Sequence, residues 1–183
     1  MSSIKNSELI FLDTEFSSLD PYKGEILSIS LVKASGEELY LELEYKGEVT
    51  EWVKENILPT LTAPKVSKKE TRKRIKKFVG TSRPYPVAFI NQFDIVYLHK
   101  IIPADEKLFG FPPIDFATML WVKGYDPLEY LENQKEFVAK FGIDASKYRQ
   151  HNALDDARLL REVFMKVNKM KIDATGEEGG NGS

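Results

Sequence analysis

The fold is decided by one stretch near the N-terminus, Glu8-Leu9-Ile10-Phe11-Leu12-Asp13-Thr14-Glu15-Phe16. Its first half, residues 9–12, is a continuous apolar run, which is typical of a strand that is buried on both faces. Residues two apart on a strand point to the same face, so Asp13 and Glu15 project together. Burying two like charges is unfavourable unless a counter-charge neutralises them, and a divalent cation would do so. The alternative is that the strand has already ended and both carboxylates are solvated.

The rest of the sheet is predicted from the patterns that follow this strand. Alternating apolar residues over 26–32 and 39–43, joined by a turn at Ser35-Gly36, predict a meander of strands. Short apolar runs at Pro86–Ile90 and Pro113–Phe116 predict a fourth and a fifth strand. A capping box at 67–70 predicts that a helix begins there. Helical periodicity predicts four other helices, over about 49–57, 92–102, 128–141 and 152–170. This order is typical of an α/β or α+β sheet domain.

Composition places the chain among globular proteins of one domain. With 183 residues, of which 42% are hydrophobic and 30% charged, the chain can bury one core. We expect the domain to span residues 1–170 and the Gly-rich remainder, 171–183, to be a disordered tail. The absence of cysteine excludes thiol catalysis and is compatible with a cytoplasmic location, and no apolar run is long enough to cross a bilayer. A net charge of −2 argues against indiscriminate nucleic-acid binding.

A third acid, Asp94, lies where the predicted strand Pro86–Ile90 gives way to a helix. Ligand sites in open α/β sheets lie at such carboxyl ends of strands, which makes Asp94 a candidate for a functional site. The alternative role is structural, as an acid in the first turn of a helix that Asn91 caps. Considered alone, Asp94 fits the capping role better.

The last predicted helix carries an inward-facing acid. Its apolar stripe is formed by Ala153, Ala157, Leu160, Phe164 and Val167. Asp156 lies on this stripe, three residues after Ala153 and four before Leu160, and so points toward the sheet. Asp155 points toward solvent, where it can complete a capping box with Asn152. An acid on an apolar face is unusual, so Asp156 is a functional candidate. His151, just before the helix, is free to lean over the same site, although a lone histidine more often has a structural role.

Three motifs, taken together, resemble those of the DEDDh 3′→5′ exonucleases. Asp13-Thr14-Glu15 is similar to their first motif, Asp-x-Glu, and Asn91-Gln92-Phe93-Asp94 is similar to their second, which ends in Asp after an aromatic residue. The third motif, His-x-Ala-x-x-Asp, is matched by His151-Asn152-Ala153-Leu154-Asp155-Asp156. The motifs occur in the family's order, and the resemblance spans roughly residues 8–168. Within the group the chain looks closest to a small exoribonuclease subfamily described in mycobacteria, through the opening Asp-Thr-Glu-Phe, the segment Glu51–Pro59 and Gln92-Phe93-Asp94.

The resemblance implies a ribonuclease H-like α/β fold, with a mixed sheet of about five strands, the first three antiparallel, flanked by helices. The catalytic residues that it implies are Asp13, Glu15, Asp94, His151 and Asp156. The four carboxylates would hold two divalent cations, Mg²⁺ or Mn²⁺, since hard cations prefer oxygen ligands, and His151 would be the general base. Contacts with the 3′-terminal nucleotide are implied for Thr14, Phe16 and Leu19, although Phe16 and Leu19 fit a hydrophobic core equally well. Ser17-Ser18 replaces the family's common Thr-Gly, which leaves the shape of this loop open.

The function that the resemblance implies is hydrolysis of single-stranded RNA from its 3′ end to nucleoside 5′-monophosphates. Three alternatives stay open: a 3′→5′ DNA exonuclease of proofreading or repair, a ribonuclease H-like endonuclease, and a non-catalytic nucleic-acid-binding module. The motif that contains His151 favours an exonuclease, and no carboxylate is missing, as one would be in a decayed enzyme. The implied partners are single-stranded nucleic acid, RNA in preference to DNA, and a second copy of the chain in a homodimer. The basic segment Lys65–Lys77 either steers a phosphate backbone or is the solvated face of a helix.

Overall fold

The structure, a computed structural model, describes residues 8–169, which form a mixed sheet with helices packed on both faces. Within these residues the sheet contains six strands: β1 (Leu9–Phe16), β2 (Ile26–Lys33), β3 (Glu38–Leu43), β4 (Lys65–Val66), β5 (Tyr85–Ala88) and β6 (Ile114–Asp115). The α-helices of the same residues are α1 (Glu51–Asn56), α2 (Lys68–Val79), α3 (Gln92–His99), α4 (Phe116–Val122), α5 (Pro127–Glu132), α6 (Gln134–Ala139) and α7 (Ala153–Lys169). The disordered tail predicted for 171–183 lies outside the described residues. Among the residues described, no helix combines the length and the apolar character that a membrane span requires.

The strands are arranged in the order β4-β3-β2-β1-β5-β6, so β1 occupies an interior position between β2 and β5. β1, β2 and β3 pair antiparallel, whereas β5 runs parallel to β1 and β6 runs parallel to β5. The predicted α/β architecture and the antiparallel start of the mixed sheet are therefore confirmed. β4 is an additional edge strand that pairs parallel with β3. Its two residues, Lys65 and Val66, are too few to produce a recognisable alternation in the sequence.

Two predictions between β5 and α7 differ from the structure. The run Pro113–Phe116, predicted as a strand, contributes only two residues to β6. The chain then turns at once into α4, because the carboxylate of Asp115 caps this helix by accepting from the Thr118 N–H at 2.6 Å. The segment 128–141, predicted as one helix, is divided into α5 and α6 at Asn133, whose ψ of 47° lies outside the helical region. Asparagine favours such breaks because its side chain competes with the helix for backbone hydrogen bonds.

Helix α7 covers one face of the sheet, and α2 with α3 covers the other. On the α7 face, the rings of Phe11 and Phe164 meet edge to face with their centroids 5.3 Å apart. On the opposite face, Ile75 of α2 packs against the sheet, and α2 begins at Ser67, whose hydroxyl accepts from the Glu70 N–H as the capping box predicts. Residues 9–12 of β1 are buried between these layers, so the side chains of β1 become partly accessible only from Asp13 onward.

Candidate active site

The residues predicted to be catalytic meet at the carboxyl ends of β1 and β5. These two strands run parallel, with Phe11 paired to Val87, so the chain that follows β5 lies beside the end of β1. Helix α7 packs across β1 and β2 and brings its first turn to the same place. A cavity of about 320 Å³ opens there. Its lining includes all five predicted catalytic residues, Asp13, Glu15, Asp94, His151 and Asp156.

Three of the carboxylates form a compact cluster. Asp13 and Glu15 come from alternate positions of β1, and Asp156 comes from the first turn of α7. One oxygen atom from each of the three side chains lies within 4.8 Å of the other two. The strand therefore presents both of its acids to one face, and the apolar stripe of α7 presents Asp156 to the sheet, so the alternative of two solvated carboxylates beyond the strand does not hold.

Asp155, the neighbour of Asp156 in sequence, faces away from this cluster. Its carboxylate accepts hydrogen bonds from Nη1 of Arg158 at 2.8 Å and from the backbone N–H of Arg149 at 3.2 Å. The capping box predicted here forms only in part. Asn152 Oδ1 accepts from the Asp155 N–H at 3.3 Å, but the Asp155 carboxylate is engaged by the two arginine residues instead of returning to Asn152. Two adjacent acids thus have opposite surroundings, one in the cavity and one in a surface ion pair.

Asp94 is buried in the first turn of α3 and is held by β1 rather than by its own helix. Its Oδ1 accepts hydrogen bonds from the backbone N–H of Thr14 at 2.8 Å and from the Thr14 hydroxyl at 2.7 Å. Asn91 precedes the helix, but its side chain makes no capping hydrogen bond. The carboxylate of Asp94 therefore reaches β1 and lines the cavity together with Asp13. A role as an acid in the first turn of a capped helix would not require this position.

Asp115, which follows the next strand, has a structural role in the turn before α3. Its Oδ2 accepts a hydrogen bond from the Asn91 N–H at 2.9 Å, while Oδ1 caps α4. Ile90, which precedes Asn91, has a φ of +53°, a conformation that is rare for a β-branched residue. Strained positions persist only where surrounding contacts fix them, so Asp115 stabilises the turn from which Asp94 enters the cavity.

Burial raises the pKa of the acids in this cavity. It raises the pKa of Glu15 to about 8, with the charges of Asp156 and Asp94 adding to the effect. It raises the pKa values of Asp94 and Asp156 to about 7, and it raises the pKa of Asp13 well above its usual range. Like charges held close together in a poorly solvated cavity repel one another once they ionise. A divalent cation relieves this repulsion, so the all-oxygen donor set fits a centre for hard cations.

These raised pKa values predict that the metal-free protein loses stability as the pH rises. An acid whose pKa is raised in the folded state binds more protons there than in the unfolded chain. The free energy of unfolding therefore falls as the pH rises from about 4.5, the ordinary pKa of Glu15, to about 8, its folded value. We expect the melting temperature in EDTA to fall between about pH 5 and pH 8, and to fall less steeply in Glu15→Gln.

The exposed Glu44 provides the matched control for this experiment, because Glu44→Gln removes one carboxylate of the same kind outside the cavity. Its melting temperature should follow the wild-type slope. A wild-type melting temperature that rises over this pH range, or a Glu15→Gln slope equal to the wild-type slope, would contradict the prediction.

His151 lies at the cavity immediately before α7, with its side chain half-buried. Its φ of +58° is a left-handed conformation that few residues other than glycine adopt. Its carbonyl oxygen accepts a hydrogen bond from the Thr60 hydroxyl at 2.7 Å, and its ring meets the Trp52 ring edge to face, with 5.1 Å between centroids. Burial lowers the pKa of the imidazole, so His151 is neutral at pH 7 and able to accept a proton.

The residues predicted to contact substrate are gathered only in part. Thr14 and Phe16 line the cavity, and the Phe16 ring stacks on that of Tyr97 with planes 4° apart and centroids 4.3 Å apart. Phe16 therefore combines a packing role with a place in the cavity wall. Leu19 is 68% exposed in the loop after β1 and lies outside the cavity lining. Binding of substrate by all three residues stays a prediction.

The loop that carries Ser17-Ser18 is closed by specific contacts. The Ser17 hydroxyl accepts a hydrogen bond from the Glu25 N–H at 2.9 Å, and the Tyr97 hydroxyl donates to the carbonyl oxygen of Ser18. A Cβ atom added to Gly24 would lie 2.0 Å from the Tyr97 hydroxyl oxygen and 2.9 Å from the backbone carbonyl oxygen of Ser18, so a larger residue here would displace these atoms. The departure from Thr-Gly thus leaves a loop of defined shape beside Phe16.

Sequence patterns do not identify a further group of residues that line the cavity: Phe89, Ile90, Phe93, Tyr130, Leu131, Gln134 and Gln150. Tyr130 lines the same cavity as the carboxylates, and burial, followed by the charges of Asp156 and Asp13, raises the pKa of its hydroxyl. In the sequence Tyr130 is one more apolar-face residue of the predicted helix 128–141, and nothing local marks it. Trp52, which lies in the helix predicted over about 49–57, is 53% exposed, and its ring contacts that of His151.

The basic segment Lys65–Lys77 forms β4 and most of α2, on the face of the sheet opposite α7. Part of its positive charge is neutralised within the chain. Arg72 and Lys76 both pair with Glu106, and Lys68 lies 3.9 Å from a carboxylate oxygen of Glu25. These ion pairs fit the solvated face of a helix, and a contact between this segment and nucleic acid stays a prediction.

Comparison with known proteins connects this fold and site to one family. A family model described as exonuclease, of the RNase T type, matches residues 10–164, whereas no curated protein matches the sequence. Among solved structures, E. coli exonuclease I in complex with a dA16 oligonucleotide has a TM-score of 0.56 at 13% identity, over 87% of this chain and 40% of that one. The family B DNA polymerase of Pyrobaculum calidifontis has a TM-score of 0.55 at 14% identity, over 87% of this chain and 24% of that one. This chain spans less than half the length of either protein, and the likeness shows a shared fold.

The fold has ribonuclease H-like architecture, and it gathers carboxylates at the end of the interior strand β1. Because the family model matches most of the chain, the chain belongs to the exonuclease family. Its acidic cluster of Asp13, Glu15 and Asp156 is suited to bind metal ions.

Proposed function

We propose that this chain hydrolyses single-stranded RNA from the 3′ end and releases nucleoside 5′-monophosphates. One observation carries the proposal: Asp13, Glu15 and Asp156 cluster within 4.8 Å, and Asp94 and His151 line the same cavity. This combination supplies a place for cations and a proton acceptor beside it. The cavity of about 320 Å³ lies at the small end of the range for ligand pockets, about 300–1,000 Å³, which suits one terminal nucleotide.

Two divalent cations, Mg²⁺ or Mn²⁺, are the proposed cofactors. Asp13, Glu15, Asp94 and Asp156 would hold them, and these oxygen ligands are the ones that hard cations prefer. When bound, such cations lower the pKa of a water molecule and stabilise the charge that develops on the phosphate oxygens. The raised pKa values of Glu15 and Asp94 support the assignment, because burial, and at Glu15 also the charges of Asp156 and Asp94, disfavour the ionised carboxylates until a cation neutralises them.

His151 is the proposed general base. Burial keeps its imidazole neutral near pH 7, and a neutral imidazole accepts the proton of an attacking water molecule. Phe16, which is held against Tyr97 in the cavity wall, offers an aromatic surface to the terminal base. Stacking of a base on such a side chain contributes about 1–3 kcal/mol and tolerates any base. Thr14 and Leu19 complete the proposed contacts with the terminal nucleotide.

RNA is the preferred substrate in this proposal, because segments such as Glu51–Pro59 resemble those of a small exoribonuclease subfamily. Discrimination between RNA and DNA requires a contact with the 2′-hydroxyl, which both donates and accepts hydrogen bonds. The cavity lining offers Tyr130, Gln134 and Gln150 as side chains that can make such a contact. A 3′→5′ DNA exonuclease is the second candidate, supported by the likeness in fold to exonuclease I solved with dA16 and dT13 oligonucleotides.

The partner that either candidate requires is single-stranded nucleic acid, which solved structures of similar fold hold as single-stranded DNA oligonucleotides. A non-catalytic binding module would use the same partner. It is disfavoured because the carboxylates and His151 are not only present but gathered around one cavity. Homodimer formation and a cytoplasmic location stay predictions.

The proposal is tested by product analysis on 5′-labelled single-stranded RNA and DNA of the same sequence, with Mg²⁺, Mn²⁺ or EDTA. We expect a ladder that shortens from the 3′ end, requires either metal, and forms faster on RNA. Asp13→Ala, which removes one carboxylate of the cluster, should abolish the ladder.

Each other outcome selects a different function. A ladder that forms faster on DNA would keep the mechanism and overturn the substrate. Internal cuts would identify an endonuclease. Tight binding of either strand without cleavage in Mg²⁺ or Mn²⁺ would identify a binding module.

A further inference from the structure

Glu42 is a buried acid that the proposed reaction does not use. It lies in β3 with 1% of its surface exposed, on the same sheet face as Glu15, because Ser28 of β2 pairs with both residues. A buried carboxyl group is unfavourable unless hydrogen bonds compensate for the lost water, so its partners indicate its role. Its Oε1 accepts from the backbone N–H groups of Thr62 at 2.7 Å and Ala63 at 2.8 Å, and also from the Tyr40 hydroxyl of its own strand at 2.9 Å. Glu42 therefore anchors this part of the chain to the sheet.

The anchored segment, residues 57–63, contacts the turn that carries His151. The Thr60 side chain is buried, and its hydroxyl donates to the carbonyl oxygen of His151 at 2.7 Å. One residue earlier, the carbonyl oxygen of Pro59 accepts a hydrogen bond from Nη2 of Arg149 at 2.8 Å. These two contacts attach the segment to Arg149 and His151, which lie two residues apart in the turn immediately before α7. The position of this turn therefore depends on Glu42 through the segment between them.

His151 needs such support because its backbone is strained. Its φ of +58° is uncommon outside glycine, and positions of this kind persist where surrounding contacts fix them. The ring of the same residue is contacted by Trp52 of α1, and α1 leads directly into the short 3₁₀-helix Leu58–Thr60. One continuous stretch of chain thus contacts both the ring and the backbone carbonyl of His151.

We infer that Thr60 and Glu42 are positioning residues for His151, with Thr60 holding the His151 carbonyl and Glu42 holding the segment that carries Thr60. The inference rests on the proposed role of His151 as general base. A general base must lie within hydrogen-bond reach of the proton that it accepts, and a displacement of about 1 Å lowers a rate by about 100-fold. We therefore expect Thr60 to affect the chemical step through His151 more strongly than it affects the binding of substrate and metal.

The direct test compares Thr60→Val with Thr60→Ser. Valine keeps the size and branching of the side chain but removes the hydroxyl donor, whereas serine keeps the donor. With Mg²⁺ and the better of the two single-stranded substrates, we expect Thr60→Val to lower kcat roughly 10- to 100-fold. KM, the Mg²⁺ concentration at half-maximal rate and the melting temperature should stay near the wild-type values, and Thr60→Ser should restore kcat.

A second measurement places Thr60→Val in the His151→Ala background and follows single turnovers. If Thr60 acts through His151, the double variant is no slower than His151→Ala alone. If Thr60→Val lowered kcat by the same factor in the His151→Ala background as in the wild type, the inference would be overturned, because the contact would then support the fold in general. A rise in the half-saturating Mg²⁺ concentration that matches the loss of kcat would also overturn it, because the contact would then serve Asp156.

The outcome for His151 itself separates this inference from the proposed function. Full activity of Thr60→Val beside an impaired His151→Ala would overturn the positioning role and leave the general base in place. Full activity of His151→Ala would overturn both. Glu42→Met, which removes the oxygen acceptors at similar length, should lower kcat as Thr60→Val does and add no further loss to it. If the losses of kcat caused by Glu42→Met and Thr60→Val added in full in the double variant, Glu42 would not act through Thr60.

Discussion

Asp156→Asn is expected to lower kcat by about 1,000-fold or more and to weaken metal binding. The substitution keeps the shape of the side chain but removes one negative ligand from the cluster with Asp13 and Glu15. Bound cations stabilise the transition state by several kcal/mol, and about 1.4 kcal/mol corresponds to a tenfold change in rate, so a loss of about 4 kcal/mol gives this factor. The measurement is kcat as a function of Mg²⁺ or Mn²⁺ concentration, together with titration calorimetry of each metal.

Asp155→Asn is the matched control, because it removes the same charge one residue away. Asp155 pairs with Arg158 at 2.8 Å and faces away from the cluster, so its replacement should leave kcat and metal affinity close to the wild-type values. A surface pair of this kind contributes about 0–1 kcal/mol to stability, so the variant should also fold. If both substitutions lowered kcat alike, or if Asp156→Asn kept full activity, the inward orientation of Asp156 would have no catalytic meaning.

The fold was predictable where a hydrophobic pattern extended over enough residues to be recognised. β1, the antiparallel pairs and the 17-residue helix α7 each repeat their pattern several times, and they occur as predicted. β4 and β6 each have two residues, which is a single period of the alternation along a strand and too few to be recognised. Helix α4 was hidden because the apolar run before it indicates a strand, and its start depends on the Asp115 carboxylate turning back to cap it.

The carboxylates of the site were predictable because local periodicity fixes their direction. Alternation along β1 orients Asp13 and Glu15 together, and the stripe on α7 orients Asp156 inward. The residues that hold the site in place were not predictable, because their contacts join distant parts of the chain. Asp94 meets Thr14 across 80 residues, and the contact between Thr60 and His151 spans 91. No local pattern encodes such pairs, so only the folded chain shows them.

His151→Ala is expected to lower kcat by about 10²- to 10⁴-fold, the usual contribution of a positioned general base, with little change in metal affinity. The expectation follows from geometry and protonation together. His151 lines the cavity that contains Asp13, Glu15, Asp94 and Asp156, and burial lowers its pKa, so the imidazole is in the proton-accepting form near pH 7. Single-turnover rates on the preferred single-stranded substrate, measured with and without added imidazole, test the role. Imidazole that enters the space left by the side chain should restore part of the rate.

His99 is the matched control, since the chain contains two histidines. His99 is exposed on α3, lies outside the lining of the active-site cavity, and has its Nδ1 3.1 Å from the carbonyl oxygen of Ile102. His99→Ala should therefore keep the wild-type kcat. A His151→Ala variant with full activity near neutral pH would show that another group accepts the proton. A variant that loses metal binding in parallel with kcat would show that His151 supports the carboxylate cluster rather than the proton transfer.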